Sequence, residues 1–284
     1  MEEREPSRTA FGAAKHRAAH QLLEQGRIFS DPLAVAVLGL DPGVIAQEAR
    51  EDPSRRGLRV FIAARAAFAE TALKAAVEQR GVRQLVVLGA GLDTFAYRNP
   101  FEGLKVFEVD HPATQAWKRR RLAEAGIAIP ADLAFAPVDF EREDLIERLQ
   151  AAGFDPGARA FFSWLGVVPY LTRTSVLSNL KAIGELAGGA EAVFDYGEPP
   201  ETLDPEQRAA RLRLADRVAA AGEPLLTYFD PDELAAELRA LGFRDLHDLG
   251  PAGLLARHLP PERAAAAPDR GGRVIHAATR FPGG

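Results

Sequence analysis

Residues 84–110 read QLVVLGAGLDTFAYRNPFEGLKVFEVD. Gln84–Leu88 is a short apolar run, the pattern of a parallel strand buried on both faces. It ends at Leu88-Gly89-Ala90-Gly91, where glycine lets the main chain turn tightly and lets a ligand come close to it. Lys105–Val109 forms the next strand, and Asp110 closes it 19 residues after Gly91. A carboxylate at that spacing accepts hydrogen bonds from ribose hydroxyls. Two plainer readings stand beside this one: a structural turn with no ligand, and Asp110 as the cap of a helix opening at His111-Pro112. The dinucleotide fingerprint needs a third glycine for close helix–strand packing, and Thr94 occupies that slot. Glu108 is the weaker carboxylate candidate, because strand alternation turns it away from the bend.

Outward from this stretch the pattern repeats. Strands are expected at Leu133–Val138, Arg159–Trp164 and Ala190–Asp195, separated by helices through Leu122, Leu145–Leu149 and Val176–Ala187. Thr172 is a good N-cap for the last of these. Residues 199–223 form a polar, arginine-rich helical insertion carrying Arg208, Arg211, Arg213 and Arg217. It reads either as a lid for an acidic substrate or as a solvated helix face. Asp230-Pro231 opens a helix that stops at Gly242, and strands near Arg244–Leu249 and Arg273–Thr279 finish the chain. Such alternation implies a parallel sheet with helices on both faces, whose ligands bind beyond the carboxyl ends of the strands where strand order reverses. Upstream, Ala13–Gln25 and Asp31–Leu40 read as short helices, Asp41–Gly57 as a connector, and Leu58–Arg80 as a long helix with Gly81 at its end. The expected division is an N-terminal helical cap over 1–80 and a core over 81–284.

Composition bounds the rest. The chain has 284 residues, 47% apolar and 26% charged, and a formal net charge of -5. Non-specific phosphate-backbone binding favours a basic domain, so no nucleic-acid partner is expected. No cysteine is present, which excludes disulfides, thiolate catalysis and zinc–thiolate sites and fits a cytoplasmic location. No apolar run approaches the roughly 20 residues of a membrane span, and the first residues lack a signal-peptide core. His16 and His20 sit four residues apart on a helix, but no third ligand accompanies them, and no metal is expected. Asp139, followed by Phe140, ends the third strand; the pair reads as an adenine contact or as a helix cap.

The stretches LVVLGAGLDTFAYR (85–98), FEVDHPATQAWKRRRL (107–122), PVDF (137–140) and WLGVVPYLT (164–172) resemble the leucine carboxyl methyltransferase-like family. They are closest to its bacterial branch of small-molecule O-methyltransferases, some tied to polyketide-type natural products. The similarity spans about residues 9–250, and its motifs are specific in combination. The resemblance implies a class I methyltransferase fold, a Rossmann-like α/β sheet of seven strands with the last antiparallel, and S-adenosyl-L-methionine as cofactor. It implies that Gly89, Ala90 and Gly91 lie under the cofactor's amino-acid portion, and that Arg65 grips its carboxylate as a bidentate partner. It assigns Asp110 to the ribose, Asp139 and Phe140 to the adenine, and Tyr170 to the vicinity of the methyl group. Leu165 departs from the glutamate many relatives carry. The partner it implies is a small-molecule methyl acceptor attacked at a carboxylate or hydroxyl oxygen, with His111, Tyr170, Tyr196, His247 and His258 as possible bases. An NAD(P)-dependent oxidoreductase and a non-catalytic cofactor-binding module are the rival expectations. The oligomeric state is not legible.

Overall fold

The computed structural model describes residues 7–260, 262, 264, 267–268 and 270–280. The outermost ends of the cap and core drawn from the sequence, residues 1–6 and 281–284, lie outside these. The chain opens with helices α1 (Arg8–Glu24), α2 (Ala34–Leu38), α3 (Pro42–Glu51) and α4 (Arg56–Arg80). Helix α3 replaces the expected connector. The Asp41 carboxylate accepts from the amides of Gly43 at 2.8 Å and Val44 at 3.2 Å, and Pro42 takes the first helical position, where its missing N–H costs nothing. Gly81 ends α4 at φ +72°, the left-handed geometry that glycine adopts freely.

Seven strands follow: β1 (Gln84–Leu88), β2 (Lys105–Asp110), β3 (Leu133–Pro137), β4 (Ala160–Trp164), β5 (Ala190–Gly197), β6 (Phe243–Leu249) and β7 (Gly272–Thr279). Between them lie α5 (Pro112–Glu124), α6 (Leu145–Ala151), α7 (Arg173–Gly184), α8 (Pro205–Ala220), α9 (Pro231–Ala240) and α10 (Pro251–Leu255). The strand order is β3-β2-β1-β4-β5-β7-β6. Strands β1 to β5 pair in parallel, and β7 runs antiparallel to both β5 and β6. This is the class I methyltransferase sheet. Order reverses between β1 and β4, so the carboxyl ends of these two strands frame the expected crevice.

Alternation along the strands loads both faces. Val86 and Leu88 join Phe107, Phe162 and Trp164 in one core. Leu85 and Val87 join Val106, Phe161 and Val193 in the other. Each such side chain contributes about 1.5–3 kcal/mol of burial. Helix α4 covers the second face, touching β4, β5 and β7. Helix α1 lies over a smaller cluster of its own, with Ala14, Ala18, Val37 and Leu92, and this places its first turns above the β1 bend. Among the described residues, no helix is long and apolar enough to cross a membrane.

Candidate active site

The main chain after β1 bends at Gly89, φ +64°, and Gly91, φ +44°. A Cβ on Gly89 would stand 2.2 Å from Val167 Cγ2, so the turn is tight in conformation and in space. Ala90 N donates to Val109 O at 3.0 Å, which pins the bend to β2. At the end of β2 the Asp110 carboxylate accepts from Gly91 N at 2.6 Å and from His111 N at 2.7 Å. Burial pushes its carboxyl up from the ordinary range, and the two main-chain donors oppose that push. Each oxygen has one main-chain donor and retains a lone pair. Asp110 is therefore not the cap of α5. His111 is: its Nδ1 accepts from Ala113 N at 3.3 Å.

A crevice of about 730 Å³ opens over this bend, lined by Val87–Asp93, Asp110, and Leu165–Val167 after β4. Its roof is the start of α1. There Thr9 N donates to Glu223, in the segment after α8, at 2.8 Å. Arg17 holds α1 to the bend through Leu92 O at 2.5 Å, and its Nη1 lies 3.5 Å from Asp93. The volume falls within the range of small-molecule sites, about 300–1,000 Å³.

Arg65 projects from α4 into the far wall. Its Nη1 donates to Asp195 Oδ2 at 2.6 Å, while the other oxygen of Asp195 accepts from Gly166 N at 2.6 Å. Gly166 is at φ +76°, and a Cβ there would lie 2.7 Å from Arg65 Nη2, so glycine lets the guanidinium approach the β4 loop. Asp195 is the residue sequence reasoning missed. Its position at the end of β5 was legible, but its partner, 130 residues earlier in the chain, was not.

Tyr170 ends the short turn Val168–Tyr170 and lines the crevice beside Arg65. Burial raises its phenol, with Arg65 pulling in the opposite direction, so the hydroxyl stays protonated. Tyr196 is raised too, first by burial and then by its 2.5 Å bond to Asp248. Leu165 packs against the α4-side core at the crevice edge. Asp139 and Phe140 are not brought into the crevice. The Asp139 carboxylate accepts from Glu141 N at 3.1 Å, and the Phe140 ring lies 6.1 Å from Trp164. Val138 N donates to Asp110 O at 3.0 Å, so the pair begins one residue beyond the crevice rim. Thr94, in the third-glycine slot, is buried and donates to Asp31 at 2.8 Å.

Of the remaining histidines, His20 Nδ1 lies 3.2 Å from Glu24, and His16 is buried with Nε2 unpartnered. No group of three or more metal-ligating side chains occurs among the described residues. His247, on β6, lies against Arg257 from beyond α10. A second, larger cavity of about 1,670 Å³ meets the crevice at Arg65, Gly166 and Tyr170.

The family model for leucine carboxyl methyltransferase matches residues 10–184, which spans the roof helix, the bend, Asp110 and the β4 loop. The chain belongs to the leucine carboxyl methyltransferase family. A Bacillus subtilis (strain 168) relative, assigned by name as the S-adenosyl-L-methionine-dependent methyltransferase YktD, is 39% identical over 178 residues, covering 60% of this chain and 57% of its own. A Frankia alni relative with the same kind of assignment is 33% identical over 263 residues, covering 79% of this chain and 90% of its own. A Mycolicibacterium paratuberculosis relative covers 97% of this chain at 30% identity, yet the match takes in only 53% of that protein. The chain thus spans little more than half the length of two of its relatives. A Thermobifida fusca YX structure assigned as a methyltransferase superposes with a TM-score of 0.60 at 16% identity, covering 97% of this chain and 96% of that one. A DUF574-family protein from Streptomyces avermitilis MA-4680 gives 0.59 at 17%, covering 93% and 97%. Both share the fold.

Proposed function

We propose that this chain is an S-adenosyl-L-methionine-dependent methyltransferase acting on an oxygen of a small molecule. The observation that carries the reading is the joint placement of the β1 bend, the Asp110 carboxylate and the Arg65 guanidinium around one crevice. The residues fit that cofactor. Asp110 retains lone pairs for ribose hydroxyls, Gly89–Gly91 expose main chain beneath the crevice, and Arg65 offers a guanidinium to a carboxylate. Asp139 and Phe140, just beyond the rim, enter the proposal only as neighbours of the adenine end. When bound, the cofactor supplies a methyl group made electrophilic by its sulfonium.

The protein's share of catalysis is alignment and exclusion of water, and alignment alone is worth on the order of 7–11 kcal/mol. The α1 roof closes the crevice above, and Tyr170 offers a donor where crevice and large cavity meet. Neither Tyr170 nor Asp195, which meet at that junction, is a free base. Tyr170 is held protonated, and Asp195 is engaged on both oxygens. This favours an acceptor oxygen that arrives already ionised, since a neutral hydroxyl gains from a positioned base.

The test is titration calorimetry with S-adenosyl-L-methionine and S-adenosylhomocysteine. Wild type should bind both, and Asp110→Asn should bind each about tenfold or more weakly with an unchanged circular dichroism spectrum. Wild type that binds neither defeats the proposal. NADH binding in their place would favour the dehydrogenase reading.

A further inference from the structure

Among the described residues, three carboxylates line the crevice over the β1 bend: Asp93, Asp110 and Glu223. Asp93 is engaged on both oxygens. Its Oδ1 accepts from Phe95 N at 2.8 Å, and its Oδ2 lies 3.5 Å from Arg17 Nη1. Asp110 is held by the main chain of the bend at the ribose end. Glu223 belongs to neither arrangement.

Glu223 reaches the crevice from the segment after α8. Thr9 N, at the start of α1, donates to its Oε2 at 2.8 Å. Among the described residues no hydrogen bond falls on its other oxygen, Oε1. Glu223 and Arg65 both act electrostatically on the Tyr170 phenol, which stands where the crevice meets the larger chamber. The guanidinium and the open carboxylate oxygen therefore share one end of the crevice. The β4 loop beside them adds Leu165, Gly166 and Val167, none with a polar side chain. Glu223 also lies outside the stretch 10–184 that the family model matches.

The methyl donor's amino-acid portion carries a carboxylate and an ammonium on one carbon. A site that takes the first charge at Arg65 must meet the second close beside it. An ammonium only donates hydrogen bonds, and an ionised acceptor makes such bonds roughly twice as strong. Building on the methyl-transfer reading above, we propose that Glu223 is the carboxylate that receives the cofactor's ammonium. One of its oxygens then holds the α1 roof and the other holds the ligand, so binding draws α1 and the segment after α8 together over the crevice. A carboxylate occupied in this way is no base for the methyl acceptor.

The probe pair is S-adenosylhomocysteine and its desamino analogue, which keeps the adenosine, the sulfur and the carboxylate but lacks the ammonium. By titration calorimetry, wild type should bind S-adenosylhomocysteine about tenfold more tightly than the analogue. Glutamine at position 223 keeps an acceptor for Thr9 N but loses the charge. Glu223→Gln should therefore bind S-adenosylhomocysteine about tenfold more weakly and the analogue nearly as wild type does, so the preference disappears. Glu223→Asp, which keeps the charge, should retain part of it. Retained binding of the analogue shows that Glu223→Gln is folded with its crevice intact. Wild type that does not distinguish the two ligands overturns the proposal. So does Glu223→Gln that weakens both equally, the mark of a residue that only ties down the roof. Wild type that binds neither ligand would instead count against the methyl-transfer reading, so the two failures are distinguishable.

Discussion

At the scale of single residues, the bend after β1 has almost no tolerance. Gly89 sits at φ +64° with Val167 packed where a Cβ would go. Alanine there carries both a left-handed backbone cost, roughly 1–2 kcal/mol, and a clash with a β-branched neighbour of few rotamers. Gly89→Ala should lower the urea midpoint and weaken S-adenosylhomocysteine binding. Adding Val167→Ala should restore part of the stability by removing the clash, but not the backbone cost. Equal stability of Gly89→Ala and wild type would show that the bend relaxes freely. Much of this was legible: two glycines after an apolar strand and an acid 19 residues on are local signals. Asp195 was not, because its meaning comes from Arg65 and Gly166, which only the folded sheet brings to it. Likewise, His111 as cap of α5 displaced Asp110 because a ring nitrogen did the work usually given to a carboxylate or hydroxyl.

At the scale of elements, helix α1 is the roof of the crevice. It buries Ala14, Ala18 and Ala19 together with His16 and His20, and no large apolar side chain is fully buried on it, so its attachment rests heavily on polar ties. Those ties are Thr9 to Glu223 and Arg17 to Leu92. Local opening is least costly where few large apolar contacts are lost. Hydrogen exchange of residues 8–14 and 220–224 should therefore slow when S-adenosylhomocysteine is added, and Glu223→Gln should speed it in the free protein. Identical exchange with and without ligand would mean that the roof is fixed. The lid expected at 199–223 was legible as a helix but not as a unit. Of its four arginines, Arg208 folds back on the Pro200 and Glu201 carbonyls, Arg211 turns inward against Gly197, and Arg213 and Arg217 stay exposed along the chamber's edge. The helical period alone could not sort them. Helix α3 was missed although its Asp-Pro start matches the one correctly read at Asp230-Pro231. A stretch rich in glycine and arginine obscured a valid cap.

At the scale of the whole molecule, the parallel part of the sheet followed from the alternation of elements, since parallel strands joined by crossovers leave few topologies, while the antiparallel last strand was expected only from the family resemblance. Global stability against acid is set partly by His16, which the sequence presented only as half of a metal pair. Burial, and then the charges of Arg55, Arg59 and Arg65, push its pKa down to about 4 from 6.5, so the fold holds it neutral. The unfolded chain takes up a proton below pH 6.5 that the folded chain refuses until about pH 4. Stability therefore falls as pH drops through that window. Glu108, raised to about 7 chiefly by burial against the pull of Lys118, acts in the opposite sense as pH rises from 4.5 towards 7. Comparing His16→Leu with wild type cancels that contribution. In urea unfolding, the variant should gain about 2 kcal/mol on wild type between pH 7.5 and pH 5. Parallel curves would show that His16 titrates normally.

The Arg65 guanidinium borders both cavities and is bound to Asp195, whose other oxygen holds the Gly166 amide. A party wall of this kind makes the two rooms poor strangers. A carboxylate that met Arg65 in the crevice would draw on the same fork of N–H groups that steadies the chamber's mouth, so the first guest to arrive would alter the doorway offered to the second.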